Sequence, residues 1–288
     1  MQFALCGSSA RKIRRGHANM LGGRAIRYEL LGFPLSERPS DFLLIDLLNR
    51  GFLPRFALSS SASRLQRSYV ANYLKEEIAA EGLVRNLPSF SEFLNIAALC
   101  DGEPLNFTNI ARDVGLSADS IKNYFDILGD TMLGRFVSSY RRRPKRRISK
   151  ASKFYFADVG VVNTLAKRGL IQVGTPAFGR AFESWVLHEL SCYNAYRERF
   201  ADIHYWRLSS GIEVDFVVNH IDLAIEVKGA NKINSNHLKG LQNIILDHPE
   251  TKRRIIVCTE PKARVTDDGI EILPHHDFLS LLWKGNLF

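Results

Sequence analysis

Residues 211–230, GIEVDFVVNHIDLAIEVKGA, carry Glu213, Asp215, Glu226 and Lys228 in surroundings otherwise fit for burial. Their spacing defines the chemistry they could do. Side chains alternate across a strand, so residues two apart share a face. In LAIEVK, Glu226 and Lys228 lie with Ala224, opposite Leu223, Ile225 and Val227; in EVDFVV, Glu213 and Asp215 lie opposite Val214 and Phe216. The two strands are expected to be antiparallel neighbours joined by a turn at Asn219-His220. A two-residue turn would pair Asp215 with Ala224, and a four-residue turn would pair it with Glu226. Both registers put Asp215, Glu226 and Lys228 on one face, and a one-residue slip would turn the apolar set outward.

Carboxylates that face each other across a sheet repel unless a cation sits between them. A hard divalent cation such as Mg²⁺ takes carboxylate oxygens and keeps several waters. It can lower the pKa of a bound water and stabilise charge on a phosphoryl oxygen. Lys228 beside it could orient the attacking water or neutralise the developing charge. For Glu-x-Lys alone, a solvated strand face with paired charges is the better account. An Asp, ten intervening residues and then Glu-Val-Lys, all within apolar strands, favour a metal site.

The elements that must position these residues are legible as periods. A helix is expected from residue 178, with Phe178, Phe182, Val186/Leu187 and Leu190 on one side. Strands follow at 203–208, 213–218, 223–228 and 254–259, with a helix at 234–247 between the last two. This order implies a small α/β domain over residues 171–288. Upstream, FTNIARDVGLSADSIKNYFDILGDT has helical periods on either side of Gly115-Leu116-Ser117, with Ser117 as an N-cap; this is a helix-turn-helix pattern. The flanking LGRFVSSY and KASKFYFADVG read as strands around the run RRRPKRR, giving a winged helix-turn-helix over 89–170. Residues 30–88 are expected to be helical, broken at Gly51 and Pro54 and stopped at Pro88. Residues 2–6, QFALC, read as a buried strand at the very start, as if the chain began inside a domain. His275-His276 has no further ligands at useful spacing and is read as surface or turn.

Composition sets the partners. The chain has 288 residues, 45% apolar and 24% charged, with a net charge of +9. That charge is uneven: +6 over residues 1–88, +5 over 89–175 and −2 over 176–288. Basic N-terminal parts beside a slightly acidic C-terminal part suit a polyanion such as DNA held next to a metal site. The six cations of the run, Arg141, Arg142, Arg143, Lys145, Arg146 and Arg147, could contact phosphates on a wing; a solvated loop is the equal alternative. Lys122 lies on the second helix of the helix-turn-helix, but Asp119, Asp126 and Asp130 there oppose DNA, so a purely structural module also remains open. The four cysteines form no Cys-x-x-Cys pair or zinc spacing, which points to a reducing, cytoplasmic setting. DFLLIDLL is too short to cross a membrane and holds Asp46.

EVDFVVNHIDLAIEVKGA, with FGRAFESWVLHEL upstream, resembles the PD-(D/E)XK (restriction-endonuclease-like) nuclease superfamily. Asp215 matches the motif Asp, and Glu226 and Lys228 match the (D/E)XK pair. Glu183 matches the acid supplied by the preceding helix. The resemblance implies Mg²⁺ on Asp215 and Glu226 with the Val227 carbonyl as a further ligand, a catalytic Lys228, and Glu183 helping through water. Val214 stands where the motif has Pro. Across nearly the whole chain, LCGSSARKIRRGHANMLGGRA, PLSE, GFLP, YLKEEIAAEGLVRN, FSEFLNIAA and KFYFADVGVVNTLA resemble a prokaryotic family of predicted AAA+-type ATPases. Its members carry a winged helix and a C-terminal restriction-endonuclease-like domain. LCGSS resembles the family's sensor-1 segment, which makes residues 1–29 a partial AAA+ remnant and 30–88 a lid-like region. No G-x-x-x-x-G-K-[ST] phosphate loop is present, so ATP binding is expected only with a partner that supplies it. The chain thus resembles an N-terminally truncated member, with a missing ATPase half or a second copy as possible protein partners. Two alternatives stay open: a catalytically silent scaffold that binds nucleic acid or protein, and a non-functional fragment of a longer ATPase.

Overall fold

The computed structural model describes residues 26, 28–38, 42–73, 78, 84, 86–141 and 148–288. The expected strand at 2–6 and the cations Arg142, Arg143, Lys145, Arg146 and Arg147 lie outside them. The described residues form a mixed α/β structure with two sheets.

Helix α1 (Leu44–Arg50) ends where Gly51 takes a φ of +86°, and α2 (Pro54–Ala57) begins on Pro54. Helix α3 (Ala62–Ser68) follows and passes into a π-helical turn over Tyr69–Tyr73. Pro88 was expected to stop a helix; instead it stands in the first turn of α4 (Leu87–Leu99), which Asn86 caps through the Ser89 N–H at 3.1 Å. Proline is tolerated there because the amide it lacks has no partner in the first turn. Helices α5 (Phe107–Val114) and α6 (Ala118–Asp130) are joined as their sequence predicts. Gly115 ends α5 in the left-handed region at φ +74°, and the Ser117 hydroxyl accepts from Ser120 N–H at 3.1 Å.

Strands β1 (Gly134–Val137) and β2 (Lys153–Phe156) pair antiparallel, from Gly134 opposite Phe156 to Val137 opposite Lys153. The short α7 (Val159–Leu165) follows, then the 21-residue α8 (Pro176–Tyr196), capped by Thr175. The larger sheet is built from β3 (Ile203–Arg207), β4 (Glu213–Val218), β5 (Leu223–Lys228), β6 (Arg253–Cys258), β7 (Arg264–Val265) and β8 (Glu271–Pro274), in the order β3-β4-β5-β6-β8-β7. The first three form an antiparallel meander, whereas β5, β6 and β8 run parallel. Helix α9 (Ser235–Asp247) makes the crossover that a parallel β5–β6 pair requires. Helix α10 (His275–Trp283) closes the chain, and His275 is a correction: it starts this helix, half-buried, with its ring 6.1 Å from that of Trp185.

One face of the larger sheet (Phe216, Ile225, Val227, Ile255, Val257) packs with Trp185 and Leu190 of α8, Phe278 of α10, and Leu47 and Leu48 of α1 in a single core. The other face (Val217, Ala224, Ile256, Cys258) packs with Leu241 and Ile244 of α9. A third core joins Phe56 to α4–α7. The outer edge of β3 is occupied by the arms of the β1–β2 connection: Tyr140 N–H donates to Tyr205 O at 2.7 Å, and Ser149 N–H to Arg207 O at 2.9 Å. This removes the open edge that would otherwise invite strand pairing. Among the described residues no helix is long and apolar enough to cross a membrane, and Cys100, Cys192 and Cys258 are free thiols.

Glu189 of α8 is fully buried and, among the described residues, forms no ion pair. It accepts from Leu35 N–H at 2.6 Å and from the indoles of Trp185 and Trp283 at 3.1 and 3.0 Å. Burial pushes its carboxyl up to about 7 despite these donors. A carboxyl raised in the folded state contributes stability that is complete below the ordinary value of 4.5 and lost as pH rises through about 7. The loss for this group is about 3 kcal/mol. Urea titrations between pH 4.5 and 8 should show this decline, and Glu189→Gln should flatten it; equal slopes in the two proteins would contradict it.

Candidate active site

The site lies where β4 and β5 part. Their ladder runs from Val218 opposite Leu223 to Phe216 opposite Ile225 and stops there. This is the four-residue-turn register, held by Asn219 and Ile221 at φ +56° and +66°, and its extension sets Asp215 against Glu226. In place of a further rung, Val227 N–H donates to Asp215 Oδ2 at 2.7 Å. The carboxylate thus takes the place of a backbone acceptor and pins the open end of the strand pair. The N–H and C=O of one residue point to the same side of a strand, so the Val227 carbonyl faces this gap too.

Asp215 and Glu226 are both buried, each 6% exposed. Lys228 Nζ bridges them, 2.5 Å from Glu226 Oε1 and 3.9 Å from Asp215 Oδ2. Glu226 Oε2 is buried and, among the described residues, has no hydrogen-bond partner. Helix α9 presses on this spot: a Cβ on Gly240 would lie 2.0 Å from Glu213 O and 3.2 Å from Glu226 Oε2. Only glycine lets the helix backbone approach so closely.

A second charged group adjoins the first. Lys153 of β2 pairs with Glu183 of α8 at 3.3 Å and also with Glu213, which in turn pairs with Arg207. The Tyr155 hydroxyl donates to Glu183 Oε1 at 2.5 Å. Burial, and then the charge of Asp215, hold the Glu226 carboxyl well above its ordinary range, against the opposing pull of Lys228. Burial likewise pushes Glu183 up to about 7, with Lys153 opposing. For both lysines burial acts downward but is outweighed. Glu183, Asp215 and Glu213 hold the Lys153 ammonium above its ordinary value, and Asp215 and Glu226 do so for Lys228. Both lysines therefore stay charged.

Of the residues expected from sequence, Asp215, Glu226, Val227 and Lys228 lie together. Glu183 arrives at the same end of the sheet but is turned to Lys153 and Tyr155. Lys122 is exposed on α6, away from this cluster, and Arg141 is exposed with its guanidinium donating to Lys150 O at 2.7 Å. Lys153 and Tyr155 were not singled out from sequence. The one available signal was a lysine alternating with aromatics in KFYF, a strand buried at all four positions.

Among the described residues, no three His, Cys, Asp or Glu side chains are grouped to hold a metal ion. A hard dication can be held by one or two carboxylates plus waters. Asp215, Glu226 with its unpartnered Oε2, and the Val227 carbonyl fit that smaller demand.

Two family models match the chain, both described as domains of unknown function. DUF8612 covers residues 41–171, and DUF4143, a domain found in AAA-ATPase-associated proteins, covers 178–278. Neither spans half of the chain. Lys153 and Tyr155 fall in the first matched region; Glu183, Glu213, Asp215, Glu226 and Lys228 fall in the second. No curated protein and no solved structure matches.

Proposed function

We propose that this protein is a nucleic-acid-associated phosphodiesterase of the PD-(D/E)XK kind, using one divalent cation, Mg²⁺, held by Asp215, Glu226 and the Val227 carbonyl. The observation that carries this reading is the parting of β4 from β5 at Asp215. It sets two buried carboxylates beside a partly exposed lysine and leaves Glu226 Oε2 without a partner among the described residues. A bound Mg²⁺ would supply Lewis-acid stabilisation of charge on phosphoryl oxygen and a lowered pKa for coordinated water. The chain's own residues supply the rest. Lys228, 31% exposed at its side chain, can leave the carboxylates and present its ammonium to the attacking water or the phosphate. Glu183, held by Tyr155 and Lys153, stands at the edge of the site as a fixed acid.

The DNA partner is proposed from charge. The basic run 141–147 belongs to the connection between β1 and β2, whose arms lie along β3, two strands from β5. Helices α5 and α6 with this hairpin are read as a winged helix-turn-helix, supported by the Gly115–Ser117 turn and the antiparallel β1–β2 pair. The match to a domain of AAA-ATPase-associated proteins supports an ATPase-family origin, with a separate ATPase half or a second copy as partner and a cytoplasmic setting. One observation favours a second reading, a catalytically silent scaffold: Glu183, Glu213 and Asp215 each already meet a cation or donor of the chain itself.

The test is cleavage of linear, single-stranded and branched DNA, and of RNA, with Mg²⁺ or Mn²⁺. Activity that needs the cation and vanishes in Asp215→Asn supports the proposal. Binding without cleavage on every substrate supports the scaffold.

A further inference from the structure

Two ammonium groups stand in the cluster, each bridging two carboxylates. Lys228 lies between Glu226 and Asp215, and Lys153 between Glu183 and Glu213. They differ in freedom. The Lys228 side chain is 31% exposed and can swing into solvent, whereas that of Lys153 is 3% exposed. Lys153 Nζ lies 5.3 Å from the ring centroid of Tyr205 and 6.0 Å from that of Tyr155, and 3.4 Å from the Tyr155 hydroxyl. Its strand is fixed by β1 on one side. Lys228 thus has a path to solvent, whereas Lys153 is enclosed on all sides that its contacts define.

We infer that Lys153 permanently fills the place of a second divalent cation, so that the site takes one metal ion and uses a lysine from a different matched region as the other charge. The inference rests on the proposed metal site. The charges support it. Four carboxylates (Glu183, Glu213, Asp215, Glu226) face three cations of the chain itself (Lys153, Lys228, Arg207), so few negative charges remain that the chain's own cations do not already meet. One dication that releases Lys228 is accommodated. A second would meet the buried ammonium at the same pair of carboxylates, where like charges at ion-pair distance repel strongly. Lys153 touches no reacting atom and is a positioning residue: it fixes Glu183 and sets the metal count. Because it comes from β2, the site is complete only when both matched regions are present in one folded chain.

The test counts Mn²⁺ bound to the full chain, by electron paramagnetic resonance of the free ion. The parent should saturate at one per chain, Lys153→Arg should stay at one, and folded Lys153→Met should reach two. A folded Lys153→Met that stays at one overturns the inference and leaves the metal site standing. A parent that binds two also overturns the inference alone, and this measurement holds even if Lys153→Met fails to fold. A parent that binds none overturns the metal site and the inference with it.

Discussion

Lys228→Met should lose cation-dependent hydrolysis by roughly 10²–10³-fold, the range for removing a group that stabilises developing charge or assists proton transfer, while binding Mn²⁺ more tightly than the parent. The two effects have one cause. In the metal-free protein the Lys228 ammonium neutralises Glu226 at 2.5 Å and Asp215 at 3.9 Å. A dication must push it aside, and removing it leaves two buried carboxylates uncompensated and avid for a cation. Under the proposed function the displaced ammonium would serve the reaction, so the variant would keep the metal and lose the hydrolysis. Calorimetry and single-turnover cleavage on one preparation separate these readouts. Weaker metal binding in Lys228→Met would mean that the lysine organises the carboxylates rather than competing for them. Near-parental cleavage would remove it from the mechanism.

Asp158→Ala should cost about 3–5 kcal/mol of folding stability, from one lost N-cap and two stranded donors. Asp158 is buried, and its Oδ2 accepts from Phe52 and Leu53 N–H at 2.6 and 2.7 Å, while Oδ1 caps α7 through Val161 N–H at 3.0 Å. One carboxylate thus joins the start of α2 to the start of α7, two residues after β2 ends. Burial pushes its carboxyl upward, and the backbone donors oppose that push. Gly51 permits the approach, since a Cβ there would lie 2.4 Å from Asp158 Oδ1. Asp158→Asn keeps one acceptor oxygen and should fall between parent and alanine. Urea unfolding gives the ranking directly, and a loss below about 1 kcal/mol for alanine, the size of a single cap, would show that the three amides find other partners. Loosening here reaches the site through β2, so Asp158→Ala should also weaken the Lys153–Glu183 contact.

What the sequence disclosed is what local patterns encode. Alternation in LAIEVK gave that strand and its two faces, but EVDFVV does not keep strict alternation: the β3–β4 register shifts between His204 and Trp206, and Val214 packs in the core of Val217 while Phe216 packs in the other. Gly115 and Ser117 marked the α5–α6 turn through a left-handed stop and a hydroxyl cap. The choice between turn lengths stayed open because it depends on left-handed backbone at Asn219 and at Ile221, a β-branched residue that seldom adopts it. Pro88 is ambiguous in the sequence, since proline follows one helix and starts the next with equal ease; Asn86, two residues earlier, is the deciding sign. Thr175-Pro176 was the same signal at the start of α8. The short β7 and β8 carry too little pattern to be seen. Lys153 and Tyr155 were invisible for a different reason: they meet Glu183 across 28–30 residues of chain, and nothing local in KFYF states where a buried lysine finds its acids.

The central claim is that Asp215 and Glu226 form a divalent-cation site. Titration of Mg²⁺ into the folded parent by calorimetry, beside Asp215→Asn and Glu226→Gln, tests it most directly. The account predicts saturable binding of one Mg²⁺ per chain in the parent and its loss in both variants. A folded parent that releases no binding heat and gains no thermal stability from Mg²⁺ or Mn²⁺ would contradict it and leave Asp215, Glu226 and Lys228 as an internally paired cluster that holds β4 to β5.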